Sequence, residues 1–182
     1  VQYMTSKVIG IQKDYVKYFG ISFRTISPSY YPLECNLIEQ MTYITGDSIL
    51  YDSTLTSNDK FRNKFIELTS EKTYNDIEYY VDQILDLEEN IIKLSNKSSS
   101  FDERTKKVDK IVSKTDDCKA KVMDYFIKAQ NLIIKSYFDK DFKNITNLEE
   151  LDNYRKKLEN YKELIGQTDG YTFFDDYYTE KM

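Results

Sequence analysis

The stretch IEYYVDQILDLEENIIKL, residues 77–94, decides the fold, because its apolar side chains recur at steps of three and four. These apolar residues are Ile77, Val81, Ile84, Leu87, Ile91 and Leu94. Side chains at this spacing lie on one face of an α-helix. The stretch therefore predicts an amphipathic helix, which the flanking pattern extends to about residues 58–95. A slip of register near Thr69-Ser70 predicts either a kink or two abutting helices.

A second amphipathic segment of nearly equal length follows at about residues 101–139. Its apolar positions are Phe101, Val108, Val112, Val122, Phe126, Ala129 and Ile133. The polar run Asn96–Ser100 is long enough to reverse the chain between antiparallel helices. Ser100 and Glu103 fit a capping box at the start of the second segment. Together the segments predict a helical hairpin roughly 55–60 Å long.

Shorter helices are predicted on the amino-terminal side of the hairpin. Apolar spacing over residues 1–18 indicates a helix that ends near Gly20 in a left-handed cap. Two prolines then predict a non-helical connection. The next helix begins near Leu33 and either stops at Gly46 or continues to about Tyr51.

The carboxyl-terminal third predicts one more helix and a tail. Thr146 or Asn147 caps the helix and Gly166 closes it. Its predicted inward residues are Leu148, Leu151, Leu158, Tyr161 and Ile165. The polar tail, residues 167–182, carries the five aromatics Tyr171, Phe173, Phe174, Tyr177 and Tyr178. They either fold back over the end of the bundle or form an exposed patch that binds a partner.

These elements predict an all-α fold, namely an elongated antiparallel helical bundle in a single domain over residues 1–182. The low counts of five glycines and two prolines favour long helices. Thr105, Thr115, Lys119 and Ser136 interrupt the apolar stripe of the second long segment. A dimeric coiled coil needs a cleaner seam, so we predict a monomeric bundle.

The composition disfavours several classes of function. A net charge of −5 disfavours a general nucleic-acid binder, which needs a basic face. Histidine is absent, which excludes Ser-His-Asp and Cys-His chemistry within the chain. No apolar run is long enough to insert into a membrane. We therefore predict a non-enzymatic protein without cofactor; an enzyme that uses only carboxylates and tyrosines is the remaining enzymatic alternative.

Two groups of residues are candidate sites with alternative interpretations. Cys35 and Cys118 either form one disulfide or remain separate thiols, and neither belongs to a CxxC zinc motif. The acidic residues of the first long segment are Asp76, Glu78, Asp82, Asp86, Glu88 and Glu89. Glu78, Asp82 and Asp86 share a face, where they could bind a divalent ion or transfer protons. A solvated helix face has the same pattern, and we predict that face and no metal.

Several segments resemble the helical erythrocyte-binding domain of the Plasmodium reticulocyte-binding-like invasion ligands. They are residues 27–33 (SPSYYPL), 47–54 (DSILYDST), 65–68 (FIEL), 71–77 (EKTYNDI), 125–134 and 140–145. The resemblance implies an all-helical, non-enzymatic ligand, secreted or on the cell surface, that binds a receptor protein on the red cell during parasite invasion. It also favours the disulfide. The family's domain is longer, which implies that these residues form part of a larger ectodomain.

The sequence also carries a signal about location, and it leaves one alternative function open. N-glycosylation sequons at residues 96–98 and 144–146 fall in predicted surface connections and weakly support secretion. The alternative is a bacterial surface lipoprotein or a phage-encoded helical protein that acts as a scaffold or inhibitor. A lipobox cysteine in the full-length gene would favour that alternative.

Overall fold

The computed structural model describes residues 1–99 and 106–182, apart from the side chains of residues 97–99 and 106–108. The described elements, in chain order, are α1 (Gln2–Ile9), β1 (Asp14–Tyr18), β2 (Ile21–Thr25), α2 (Pro32–Thr45), α3 (Asp47–Thr56), α4 (Lys60–Leu68), α5 (Glu71–Ser99), α6 (Lys106–Phe142), α7 (Leu148–Lys162) and α8 (Phe173–Lys181). Helices dominate and the one described sheet has two strands. The all-α prediction is therefore confirmed.

Helices α5 and α6 form the predicted hairpin and make the most extensive helix pair of the described fold. They run antiparallel, since Tyr80 faces Tyr125 with ring centroids 5.6 Å apart, whereas Leu94, farther along α5, shares a surface cavity with Cys118. Most residues of the predicted stripes face each other: Ile77, Ile84, Ile91, Val122, Phe126, Ala129 and Ile133 are all buried. Val112 was also predicted on the stripe, but it is 51% exposed. Their burial contributes most of what holds the two helices together. Phe101, Thr105, Val108 and the Ser100–Glu103 capping box lie outside the described side chains.

The bounds of the hairpin differ from the predicted ones at two places. Helix α4 ends at Leu68 and α5 begins at Glu71, so the predicted alternative of two abutting helices is confirmed. The Ser70 hydroxyl accepts a hydrogen bond from the Thr73 backbone N–H at 3.0 Å and so caps α5. The predicted turn at residues 96–100 is wrong at its start, because residues 96–99 are helical. That polar run has no glycine or proline to stop a helix.

The predicted amino-terminal helix is wrong beyond Ile9. Strands β1 and β2 form an antiparallel hairpin instead, with Tyr18 paired to Ile21. Phe19 and Gly20 both have positive φ angles, 49° and 82°, which is the backbone of the favoured two-residue hairpin turn. Strand β2 lies beyond residues 1–18 and alternates buried and more exposed residues, which is the period of two of a strand.

Two predicted ends of the shorter helices are confirmed, whereas α7 ends at Lys162 and not at Gly166 as predicted. Gly46 separates α2 from α3, as the first of the two predicted alternatives required. Asn147 caps α7, and its side-chain oxygen accepts the Glu150 backbone N–H at 2.9 Å. Leu148 was predicted to face inward, but it is 83% exposed. It is the first residue of α7, almost two turns ahead of Tyr154, where the buried stripe begins.

A buried amide network joins α2, α6 and α7 in the centre of the bundle. Gln130 is fully buried; its amide donates to the Gly166 carbonyl at 3.0 Å and accepts the Gly166 N–H at 2.8 Å. Gln40 donates to Gln130 at 2.9 Å and accepts the Tyr161 hydroxyl at 2.7 Å. Buried polar groups must be hydrogen-bonded to avoid a large desolvation cost. Here the Gln40 and Gln130 amides both bond to groups on other parts of the fold. The network therefore fixes how the three helices align.

The tail folds back onto the bundle, which is the first of its two predicted alternatives. Gln167 exchanges both backbone hydrogen bonds with Ser22 of β2, each at 2.8 Å. Helix α8 then packs Phe174 and Tyr177 into the main core. The Tyr177 hydroxyl donates to the Asp139 carboxylate at 2.8 Å, which ties α8 to the end of α6. The amino-terminal hairpin and the carboxyl-terminal tail thus lie against the same bundle.

Gly166 has the least space for a side chain among the five glycines, and it supplies the first prediction. A Cβ atom added there would lie 2.4 Å from the Phe126 ring and 3.1 Å from Ile21. We expect Gly166→Ala to lower the free energy of unfolding in urea by about 1–3 kcal/mol, because the added methyl overpacks the core. The cost should shrink in a Phe126→Leu background, where the clashing ring is gone. An equal cost in both backgrounds would contradict the proposed clash.

Candidate functional site

The two cysteines are free in the structure, so the disulfide predicted as one alternative is not formed. Cys35 is buried in a small cluster with Tyr3, Met4 and Ile26, whereas Cys118 packs half-buried on α6. Burial raises the pKa of the Cys35 thiol to about 11. A thiol with a raised pKa is a poor nucleophile, because the reactive form is the thiolate. Cys35 therefore has a packing role.

The aromatic residues of the tail are divided between core and surface. Phe174 and Tyr177 are buried, and Tyr171, Phe173 and Tyr178 are half-buried. The Tyr171 hydroxyl donates to Asn131 and contacts Gln130, so this ring is an extension of the amide network. The tail thus presents much less free aromatic surface than a patch of five exposed rings would.

The acidic residues of α5 also divide into two groups. Glu78, Asp82, Asp86 and Glu89 are exposed, as a solvated helix face requires. Within the described residues, no group of three or more histidine, cysteine, aspartate or glutamate side chains could hold a metal ion. Glu88 is the exception to the solvated face, because it turns toward the core and one of its carboxylate oxygens is buried.

Glu88 meets a second buried carboxylate, Glu34 of α2, which sequence analysis missed. Glu34 is only 7% exposed, and within the described part of the chain neither of its carboxylate oxygens has a hydrogen-bond donor. The carboxyl groups of Glu34 and Glu88 interact with each other, and the Tyr18 phenol lies beside Glu88. Two carboxylates can approach this closely only if one of them carries a proton.

The environment of the pair explains which protonation state it adopts. Burial, and then the charge of Glu88, raises the pKa of Glu34 to about 8. Burial also raises the pKa of Glu88. No lysine or arginine of the described chain forms an ion pair with either group, and the hydrogen bond from Tyr18 to Glu88 only partly offsets the desolvation cost of the charged form. At neutral pH the pair therefore holds one shared proton and one negative charge.

An open groove with aromatic walls lies directly over Glu88. One wall is the hairpin turn, where Tyr18 and Phe19 stack with centroids 4.1 Å apart. The other wall is the connection into α2, where Tyr30 is 66% exposed and Tyr31 is 54% exposed. We call this cleft the aromatic groove; it is lined by residues 18–19, 28–32, Glu88 and residues 91–92, and it encloses about 300 Å³.

Backbone conformation makes the aromatic groove unusual. Phe19 and Tyr31 both adopt left-handed φ angles, 49° and 52°. The left-handed region is costly for a residue with a Cβ, by roughly 1–2 kcal/mol, and a bulky aromatic residue rarely occupies it. Both residues line the same groove. Such conformations cluster at binding sites, where the surrounding structure holds them in place.

No protein-family model, curated protein or solved structure matches this chain. None of the described helices is long and apolar enough to cross a membrane. The aromatic groove and the Glu34–Glu88 pair beneath it have a chemistry of their own. That chemistry combines exposed aromatic faces with a negative charge and is suited to binding.

The shared proton gives the second prediction, which concerns stability against pH. Glu34 has an ordinary pKa of 4.5 and a folded-state pKa of about 8, so the folded protein holds a proton that the unfolded chain releases in this interval. The stabilisation that this proton provides is complete below the ordinary pKa of Glu34. It is lost as the pH rises through the folded-state pKa. We expect the free energy of unfolding to fall by about 1.4 kcal/mol per pH unit between about pH 5 and pH 8.

Two variants test this assignment by urea unfolding at several pH values. Glu34→Gln removes the titrating carboxyl and should flatten the pH profile between those limits. Glu89→Gln, at the exposed neighbour of Glu88 that pairs with Lys93, should leave the slope unchanged. A Glu34→Gln protein whose stability still declines with the original slope would show that another group takes up the proton.

Proposed function

We propose that this chain is a non-enzymatic, monomeric binding module, secreted or on the cell surface, that binds a receptor protein on the host red cell during parasite invasion. The observation that carries the proposal is the resemblance to the helical erythrocyte-binding domain of the reticulocyte-binding-like ligands, which extends over most of the chain. The proposal assigns the chain neither a catalytic step nor a cofactor, and it assigns no nucleic acid as a partner.

The positions of the resembling segments support the proposal. Residues 27–33 lead into α2, residues 47–54 lie in α3, and residues 65–77 span the junction of α4 and α5. These are the places where the chain turns and where helices pack on one another. A resemblance at the turns and junctions of a fold concerns its architecture. A resemblance in the apolar pattern of a single helix would not.

Surface features are also in keeping with a protein ligand. The aromatic groove exposes tyrosine rings, a residue type enriched where proteins bind one another. Asn144 of the second sequon is exposed in the turn after α6, where a glycan would not disturb the core. Asn96 of the first sequon is also exposed, although it lies within α5 and not in a connection as predicted.

The third prediction is cell binding by the recombinant chain. We expect the folded protein to bind reticulocytes or mature erythrocytes, measured by flow cytometry with a labelled chain. Because the proposed receptor is a protein, trypsin treatment of the cells should reduce binding to the level seen on non-erythroid cells. A folded sample that binds neither red-cell type, or binds trypsin-treated cells equally well, would contradict the proposal.

A further inference from the structure

We infer that the aromatic groove binds an arginine side chain presented by the receptor protein, with Glu88 as the acceptor of the guanidinium group. The inference rests on the proposed function, because the receptor supplies the arginine, and it adds the contact face and the chemistry of the contact.

The floor of the groove provides charge complementarity. Glu88 lines the groove, and one of its carboxylate oxygens is buried without a donor in the described structure. Glu34 lies behind it and shares one proton with it. Leaving a buried acceptor unpaired costs about 1–3 kcal/mol, and more when the group is charged. Glu88 as a whole is half-buried and lines the groove, so a cation that enters the groove would lie beside its negative charge.

The walls of the groove favour a guanidinium over an ammonium group. Tyr30 and Tyr31 expose large parts of their rings beside the stacked pair of Tyr18 and Phe19. A planar guanidinium stacks on aromatic faces and also donates paired hydrogen bonds to a carboxylate. It is more weakly hydrated than an ammonium group and therefore loses less on entering a cleft with apolar walls.

The size and rim of the groove favour a protein side chain as the occupant. A volume of about 300 Å³ lies at the lower end of ligand pockets, which range over roughly 300–1,000 Å³. Ile92 is 60% exposed at the edge, so apolar surface continues beyond the cleft. A partner that inserts one side chain could cover this rim with the residues next to that side chain. Hot spots at protein interfaces are surrounded in this way by contacts that exclude water.

The direct test uses a short peptide and its neutral isostere. The probe is acetyl-Ala-Arg-Ala-amide, and the control peptide carries citrulline, which keeps the shape of arginine without its charge. We expect only the arginine peptide to shift the NMR signals of Tyr30, Tyr31 and Ile92 in a saturable titration. Equal shifts with the citrulline peptide, or no shift with either, would overturn the inference.

Two variants, each with a matched control, locate the contact. Glu88→Gln should weaken peptide binding roughly tenfold by removing the charged acceptor, while the neighbouring Glu89→Gln should not change it. Tyr30→Ala should weaken binding about threefold by removing an aromatic face. Tyr15→Ala is its control, because Tyr15 is 67% exposed on β1 outside the groove. Both groove variants should fold, since Tyr30 is exposed and glutamine keeps the size and shape of the Glu88 side chain.

Cell binding distinguishes this inference from the proposed function. Loss of red-cell binding in Glu88→Gln and Tyr30→Ala, but not in their controls, would support both. Red-cell binding that the groove variants leave intact would overturn the inference and leave the proposed function standing. Peptide binding without red-cell binding would keep arginine recognition and overturn the red-cell receptor. Self-association that Tyr30→Ala abolishes would assign the groove to a second copy of the chain and overturn the inference.

Discussion

The paired hydrogen bonds between the Gln130 amide and the Gly166 peptide are the constraint on which the rest of the structure depends. A fully buried amide can be paired on both sides only if its partner backbone stands at one fixed distance and angle. This fixes the end of α7 against α6. Because Gln167 is the next residue, its hydrogen bonds with Ser22 place the β-hairpin as well. The absence of a side chain at Gly166 lets Phe126 lie underneath.

The Glu34–Glu88 pair is the opposite case, a buried polar contact whose needs the described chain does not meet. Glutamine amides donate and accept, so Gln40 and Gln130 can satisfy each other. Two carboxyl groups with one proton between them have oxygens that accept no hydrogen bond. In a natural fold whose other buried polar groups are hydrogen-bonded, a place where such groups lack partners is commonly a functional site. The unmet acceptors lie beneath the groove that also holds two left-handed aromatic residues.

The sequence predicts the features that depend on neighbours along the chain. The stripes of α5 and α6, the stop at Gly46 and the cap at Asn147 are all local patterns, and the structure has them. The β-hairpin was missed because residues 1–18 also fit a helical spacing, and short runs satisfy both periods. The acid pair was missed because Glu34 and Glu88 meet only through tertiary packing. A signal was nevertheless present, since α2 carries acids and amides within an otherwise apolar helix.

The groove gains from being built on rigid elements. Its two walls come from a hairpin turn and a proline-containing connection, its floor comes from a long helix, and each is held by contacts outside the groove. Pro32 begins α2, and the Ser27 hydroxyl donates to the Tyr30 carbonyl at 2.5 Å, so the tyrosine wall is ordered before anything binds. An ordered site loses little conformational entropy on binding. The cost is already present in the folded chain, as left-handed backbone and a poorly paired carboxylate, and a cationic partner would offset the negative charge of that carboxylate.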